Sequence, residues 1–138
     1  MNNYEFALKL AGAEILIFNS FGSYQGDWWA KVKYKGKTGW VHGWYGSCSA
    51  CDAFYAEFDF YREHECGEDI YYNPIYEMDF RENCEHCQKT KADLIGFGKK
   101  YLENILTYDE ALKAASEDIE WDLEAEDMIK FIKEHKDA

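Results

Sequence analysis

The chain has 138 residues, 18% of them aromatic, with 15 Lys and Arg against 27 Asp and Glu and a formal charge of −12. The length suits one domain with a packed core, and the aromatic content excludes a disordered chain. The charge disfavours direct binding to nucleic acid or to anionic membranes and favours basic partners.

The chain is expected to form one domain over residues 1–138, made of an N-terminal helix and β-meander (1–51) and an acidic, mainly helical part (52–138). The first part carries five lysines against three acids, and the second carries ten basic against 24 acidic residues. Residues 1–10 show no basic start followed by a long apolar run, and the longest apolar run, 15–18, is too short to span a bilayer. A soluble, cytoplasmic protein without membrane contact is expected.

Tyr4, Phe6, Ala7, Leu8 and Leu10 predict a short N-terminal helix. Residues 13–21, rich in Ile and Phe, predict a strand. Ser23, Tyr24, Gln25 and Gly26 predict a turn. Residues 28–35 then alternate, with Trp28, Ala30, Val32 and Tyr34 on one face and Trp29, Lys31, Lys33 and Lys35 on the other. That period of two predicts a half-buried strand whose outer face carries the lysines. Lys35-Gly36-Lys37 is a tight hairpin signal, and residues 38–44 return to complete a three-stranded antiparallel meander.

Asp52 caps a predicted short helix through Phe54 and Phe58. Residues 59–83 predict a loop-rich excursion with one short strand at 70–72. Leu94, Ile95, Phe97, Tyr101, Leu102, Ile105 and Leu106 predict a helix over 92–106. Gly96 and Gly98 weaken that helix unless they permit close packing. Thr107 and Glu110 form a capping-box pattern for the next helix. Asp122 begins a last helix that turns Leu123, Met128, Ile129 and Ile132 to the core. Lys130, Lys133, His135 and Lys136 complement the dipole at its end. The fold class is therefore α+β: a meander packed with C-terminal helices.

Two C-x-x-C pairs, Cys48 with Cys51 and Cys84 with Cys87, carry the chemistry. Each short turn aims two thiolates at one point, and four sulfurs about 2.3 Å from an ion close a tetrahedral zinc site. In a reducing compartment paired cysteines read as metal ligands before disulfides. The pairs are separated by 32 residues, so the ion would staple the end of the meander to the start of the long helix. His64, Cys66 and His86 are spare ligand types, with surface residues in an acidic loop as the favoured reading.

No catalytic set accompanies the metal. A thioredoxin-type dithiol belongs in a βαβ setting, which the meander does not supply. A deaminase motif would need Glu where Cys66 stands. No metalloprotease helix, phosphate loop or nucleophile elbow is present. A non-enzyme is expected, with a zinc-dependent enzyme or accessory factor of unrecognised site as the alternative.

Acidity is locally dense. Residues 52–85 hold eleven acids and two bases, and 117–127 hold seven acids and no base. One reading is a solvated face. The other is a docking surface for a basic cleft, with Tyr61, Tyr71, Tyr72, Tyr76 and Trp121 as aromatic anchors.

Two elements, Gly22-Ser23-Tyr24-Gln25-Gly26-Asp27-Trp28 and Gly46-Ser47-Cys48-Ser49-Ala50-Cys51-Asp52, resemble small phage- and prophage-encoded proteins over residues 13–54. With its size, acidity and metal ligands, the chain resembles a zinc-binding anti-CRISPR protein of the type II class. The resemblance implies an inhibitor in the host bacterial cytoplasm. It would bind an RNA-guided nuclease without catalysis and block guide or target-DNA handling, with Zn2+ held by Cys48, Cys51, Cys84 and Cys87. A structural phage protein is a further alternative.

Overall fold

The computed structural model describes residues 3–22, 26–45, 85–117 and 125–136, with only the backbone at residues 3, 86 and 87. The elements run α1 (Asn3–Leu10), β1 (Glu14–Gly22), β2 (Gly26–Tyr34), β3 (Lys37–Tyr45), α2 (Glu85–Leu102), α3 (Tyr108–Glu117) and α4 (Ala125–Glu134). The α+β class and the three-stranded antiparallel sheet, in the order β1-β2-β3, agree with the sequence reading. The helix expected after Asp52, the strand at 70–72 and the turn at 23–25 lie outside the described residues.

In α1, Tyr4, Ala7 and Leu8 are buried, and Ala11 just beyond continues their spacing onto one apolar stripe. Gly12, at φ +105°, ends the helix in the left-handed region that glycine adopts without strain. The Gly12 N–H reaches the Lys9 carbonyl at 3.0 Å, and the Ala13 N–H reaches that of Leu8 at 3.1 Å. β1 then pairs with β2 from Glu14↔Lys33 to Gly22↔Gly26, with a bulge between Ile15 and Ile17. The β2–β3 register runs from Gly26↔Tyr45 to Tyr34↔Lys37, so Lys35 and Gly36 form a two-residue loop. Both take positive φ, 50° and 77°, as a primed hairpin turn requires. Lys35 lays its ammonium over the Tyr34 ring, 5.2 Å from the centroid.

Both faces of the sheet are covered. On one, Trp28, Ala30, Val32 and Val41 pack under α1 and α2 with Leu8, Leu94, Phe97 and Leu102. On the other, Phe21, Trp29 and Trp40 pack under α3 and α4 with Ala111, Ala115, Met128, Phe131 and Ile132. This corrects the expected half-buried β2: Trp29 is 2% and Lys31 5% exposed, and only Lys33 and Lys35 of that set face water. Alternation recognised two faces, but it cannot reveal that later helices return to cover the polar one.

α2 also differs from its expected span of 92–106. It starts at Glu85, through a polar run that has no apolar stripe, and stops at Leu102. Ile105 and Leu106 leave the helix because Leu106 forms a bridge with Trp40: each N–H donates to the other's carbonyl at 2.8 Å. Of the two glycines, Gly98 makes the close approach, since a Cβ there would strike the Ala7 carbonyl oxygen, whereas at Gly96 it would meet open space. The capping box before α3 forms as expected: Thr107 N–H donates to Glu110 Oε1 at 3.0 Å and Glu110 N–H to Thr107 Oγ1 at 3.2 Å. α4 is described from Ala125, and residues 118–124 lie outside the description. Its buried set includes Phe131, which the apolar pattern had not assigned to the core.

Candidate functional site

The end of β3 meets α1 and α2. Tyr4 holds them together. Its hydroxyl donates to the Trp44 carbonyl at 3.1 Å, and its ring lies 5.1 Å from Trp28 and 6.1 Å from Phe97. Phe97 of α2 therefore stands level with the end of β3, while Leu106 beyond the helix pairs with Trp40 near its beginning. α2 thus runs antiparallel to β3. From Phe97 back to Glu85 the helix rises about 18 Å. β3 stops at Tyr45, whose hydroxyl is anchored on the Phe21 carbonyl at 2.8 Å.

Cys48 follows that strand end by three residues, and Cys84 directly precedes α2. Cys48, Cys51 and Cys84 lie outside the described residues, as do His64 and Cys66. Cys87 and His86 are placed by their backbone in the first turn of α2. Among the described residues, no three His, Cys, Asp or Glu side chains are grouped as metal ligands. Of the acidic run, Glu117, Glu126 and Asp127 are described, all exposed on α3 and α4. The proposed aromatic anchors Tyr61, Tyr71, Tyr72, Tyr76 and Trp121 are outside the description.

The covered second face holds features that sequence reasoning missed. Lys31 is buried, and its ammonium donates to the carbonyls of His135 and Lys136, both at 2.8 Å, just past the end of α4. A cation there satisfies terminal carbonyls and opposes the negative end of the helix dipole. The Trp40 ring lies 6.0 Å from the same nitrogen. Trp29 Nε1 donates to the Met128 sulfur at 3.1 Å. The exposed His42 ring stacks on Trp29 at 4.3 Å and 8°. Trp44, on the same strand face, is 46% exposed. The alternation in β3 could have grouped Trp40, His42 and Trp44, but not which of them α4 would cover.

Between β1 and α4 lies an open cleft of about 310 Å³, lined by Asn19, Phe21, Asp127, Lys130, Phe131 and Glu134. Its apolar floor is the edge-to-face pair Phe21–Phe131, with centroids 5.5 Å apart. Lys130 sits 3.9 Å from Glu134, and both side chains are well exposed, so the pair holds little energy. At the α3 start, the Thr107 N–H and hydroxyl hold the Glu110 carboxyl below the usual carboxylate range, with a smaller contribution from Lys37. No helix among the described residues is long and apolar enough to cross a membrane. No family model, no curated protein and no solved structure matches this chain.

Proposed function

We propose that this chain is a phage-derived, non-catalytic binding protein. Stapled by zinc, it docks on the basic nucleic-acid channel of a type II CRISPR RNA-guided nuclease and blocks guide or target-DNA handling. The observation that carries this reading is the partition of charge. Residues 1–51 hold five lysines against three acids, while residues 52–138 hold ten basic residues against 24 acids, with dense acidic runs in 52–85 and 117–127. A cationic channel that normally holds nucleic acid is the complementary surface, and opposite charge steers such an encounter.

Cys48, Cys51, Cys84 and Cys87 would hold the ion. In support of this assignment, β3 ends three residues before Cys48 and α2 begins directly after Cys84. A closed four-sulfur site supplies folding energy and no reaction.

Affinity capture with a type II effector nuclease at low and at physiological salt tests the reading. A stable complex that weakens with salt and prevents guide loading or target-DNA binding is expected. No complex at micromolar concentration in low salt excludes that partner. Elemental analysis of material never exposed to chelator should find one zinc per chain, and metal-free folded protein removes the staple.

A further inference from the structure

The two edges of the sheet are treated differently. Trp40 and Trp44 turn their backbone polar groups away from β2. Trp40 is paired with Leu106, and the Trp44 carbonyl accepts the Tyr4 hydroxyl. The β3 edge is thus engaged by the fold at Trp40 and Trp44. On β1 the hairpin register sets Asn19 and Phe21 toward β2, so Phe18 and Ser20 direct their N–H and C=O outward. No strand or helix among the described residues pairs with that edge. The Ser20 N–H is instead taken by the side chain of its own neighbour, Asn19 Oδ1, at 3.0 Å. This is a local substitute for a strand partner. The bulge residue Leu16, 38% exposed, ends the regular part of the edge.

Beside this edge is the cleft floored by Phe21 and Phe131, rimmed by Asp127, Glu134, Asn19 and Lys130. A strand added to β1 would place alternate side chains over α4, with an apolar one on the phenyl pair and flanking basic ones near Asp127 and Glu134. A second copy of this chain fits less well, because each copy carries −12 and would bring its own acidic rim to the junction. We propose that the outer edge of β1 and this cleft take up an extended, basic segment of a partner protein by strand addition. The inference rests on the reading above that the partner is basic, and it specifies how that partner is gripped. Asn19 blunts the edge until the incoming strand displaces its side chain.

The test uses the full chain and a fluorescein-labelled, end-capped peptide of alternating valine and lysine. Its control is the same peptide N-methylated on alternate amides. Fluorescence anisotropy should show the unmodified peptide binding, and methylation should weaken it by about tenfold, the loss of one or two backbone hydrogen bonds. Ser20→Pro removes only an outward N–H, which an edge strand tolerates, and should weaken binding similarly with an unchanged circular dichroism spectrum. Asn19→Ala should tighten binding. Hydrogen exchange at the Phe18 amide should slow when peptide is added.

Absence of binding, or binding indifferent to methylation, overturns the proposal. So does self-association that Ser20→Pro abolishes, which assigns the edge to a second copy. Slow exchange at the Phe18 amide in the free monomer also overturns it, by showing that the chain covers its own edge. The peptide assay contains no nuclease. Failure there beside an intact nuclease complex removes the edge alone, and the converse removes only the nuclease.

Discussion

The two faces of the sheet hold their helices by different means. Under α1 and α2 the contact is made by removing side chains. Gly98 lets α2 lie against the Ala7 carbonyl, Gly39 admits Ile105 and Leu106, and Gly43 makes room for the Trp28 indole, 2.7 Å from where its own Cβ would stand. Under α3 and α4 the contact is made by polar groups rooted in the sheet: Lys31 on the end of α4 and the Trp29 indole on Met128. Among the described residues the apolar face even leaves one donor unmet, Trp28 Nε1, which finds no acceptor there. Close packing sets the first face by shape and tolerates no added volume. The second is set by direction, because each polar contact fixes where a helix end must lie.

Substitutions break or sharpen this contrast. Gly98→Ala should cost the most, about 3 kcal/mol, because its methyl meets backbone that cannot swing aside. The midpoint of urea denaturation measures it. Lys31→Met keeps the buried stem but leaves the His135 and Lys136 carbonyls without that ammonium, for an expected loss of about 2 kcal/mol. Hydrogen exchange should quicken first in α4, whereas Gly98→Ala should loosen α1. Equal loosening of all helices by both variants would show that the two faces melt as one.

Gly96→Ala, two residues from Gly98 but facing open space, should stabilise by about 1 kcal/mol through helix propensity. Opposite signs at these two glycines are the sharpest check on the packing account. Met128→Leu preserves volume and deletes the sulfur acceptor, so about 1 kcal/mol should be lost, with a change in Trp29 fluorescence. The smallest effect belongs to Glu110. Its folded pKa is lowered, so its contribution is present above the ordinary carboxylate pKa and fades as pH falls through the folded one. Thr107→Ala should flatten that part of the stability profile in acid titration.

Much of the fold was legible because its signals are local. Alternation in residues 28–34 located β2, a lysine-glycine pair located the tight turn, and Thr107 with Glu110 located the start of α3. Boundaries that depend on distant partners were not. Leu106 fits a helical stripe, yet it leaves α2 to exchange two hydrogen bonds with Trp40, 66 positions earlier. Lys31 reads as a solvent-facing lysine until α4, about a hundred residues later, arrives over it. The cysteine pairs are legible as a spacing in the sequence, and of them the described residues include only the backbone of Cys87, in the first turn of α2.

Charge, the spacing of the cysteine pairs, the meander and the start of α3 follow from neighbours along the chain, where a pattern of a few residues sets the local free energy. Which edge groups of the described strands find partners, and which lysine is buried, depend on contacts across the whole chain. The register between β1 and β2 sets which amides turn outward, and the return of α4 sets what lies beside them. No window of sequence contains both partners of such a contact, so tertiary packing alone decided them.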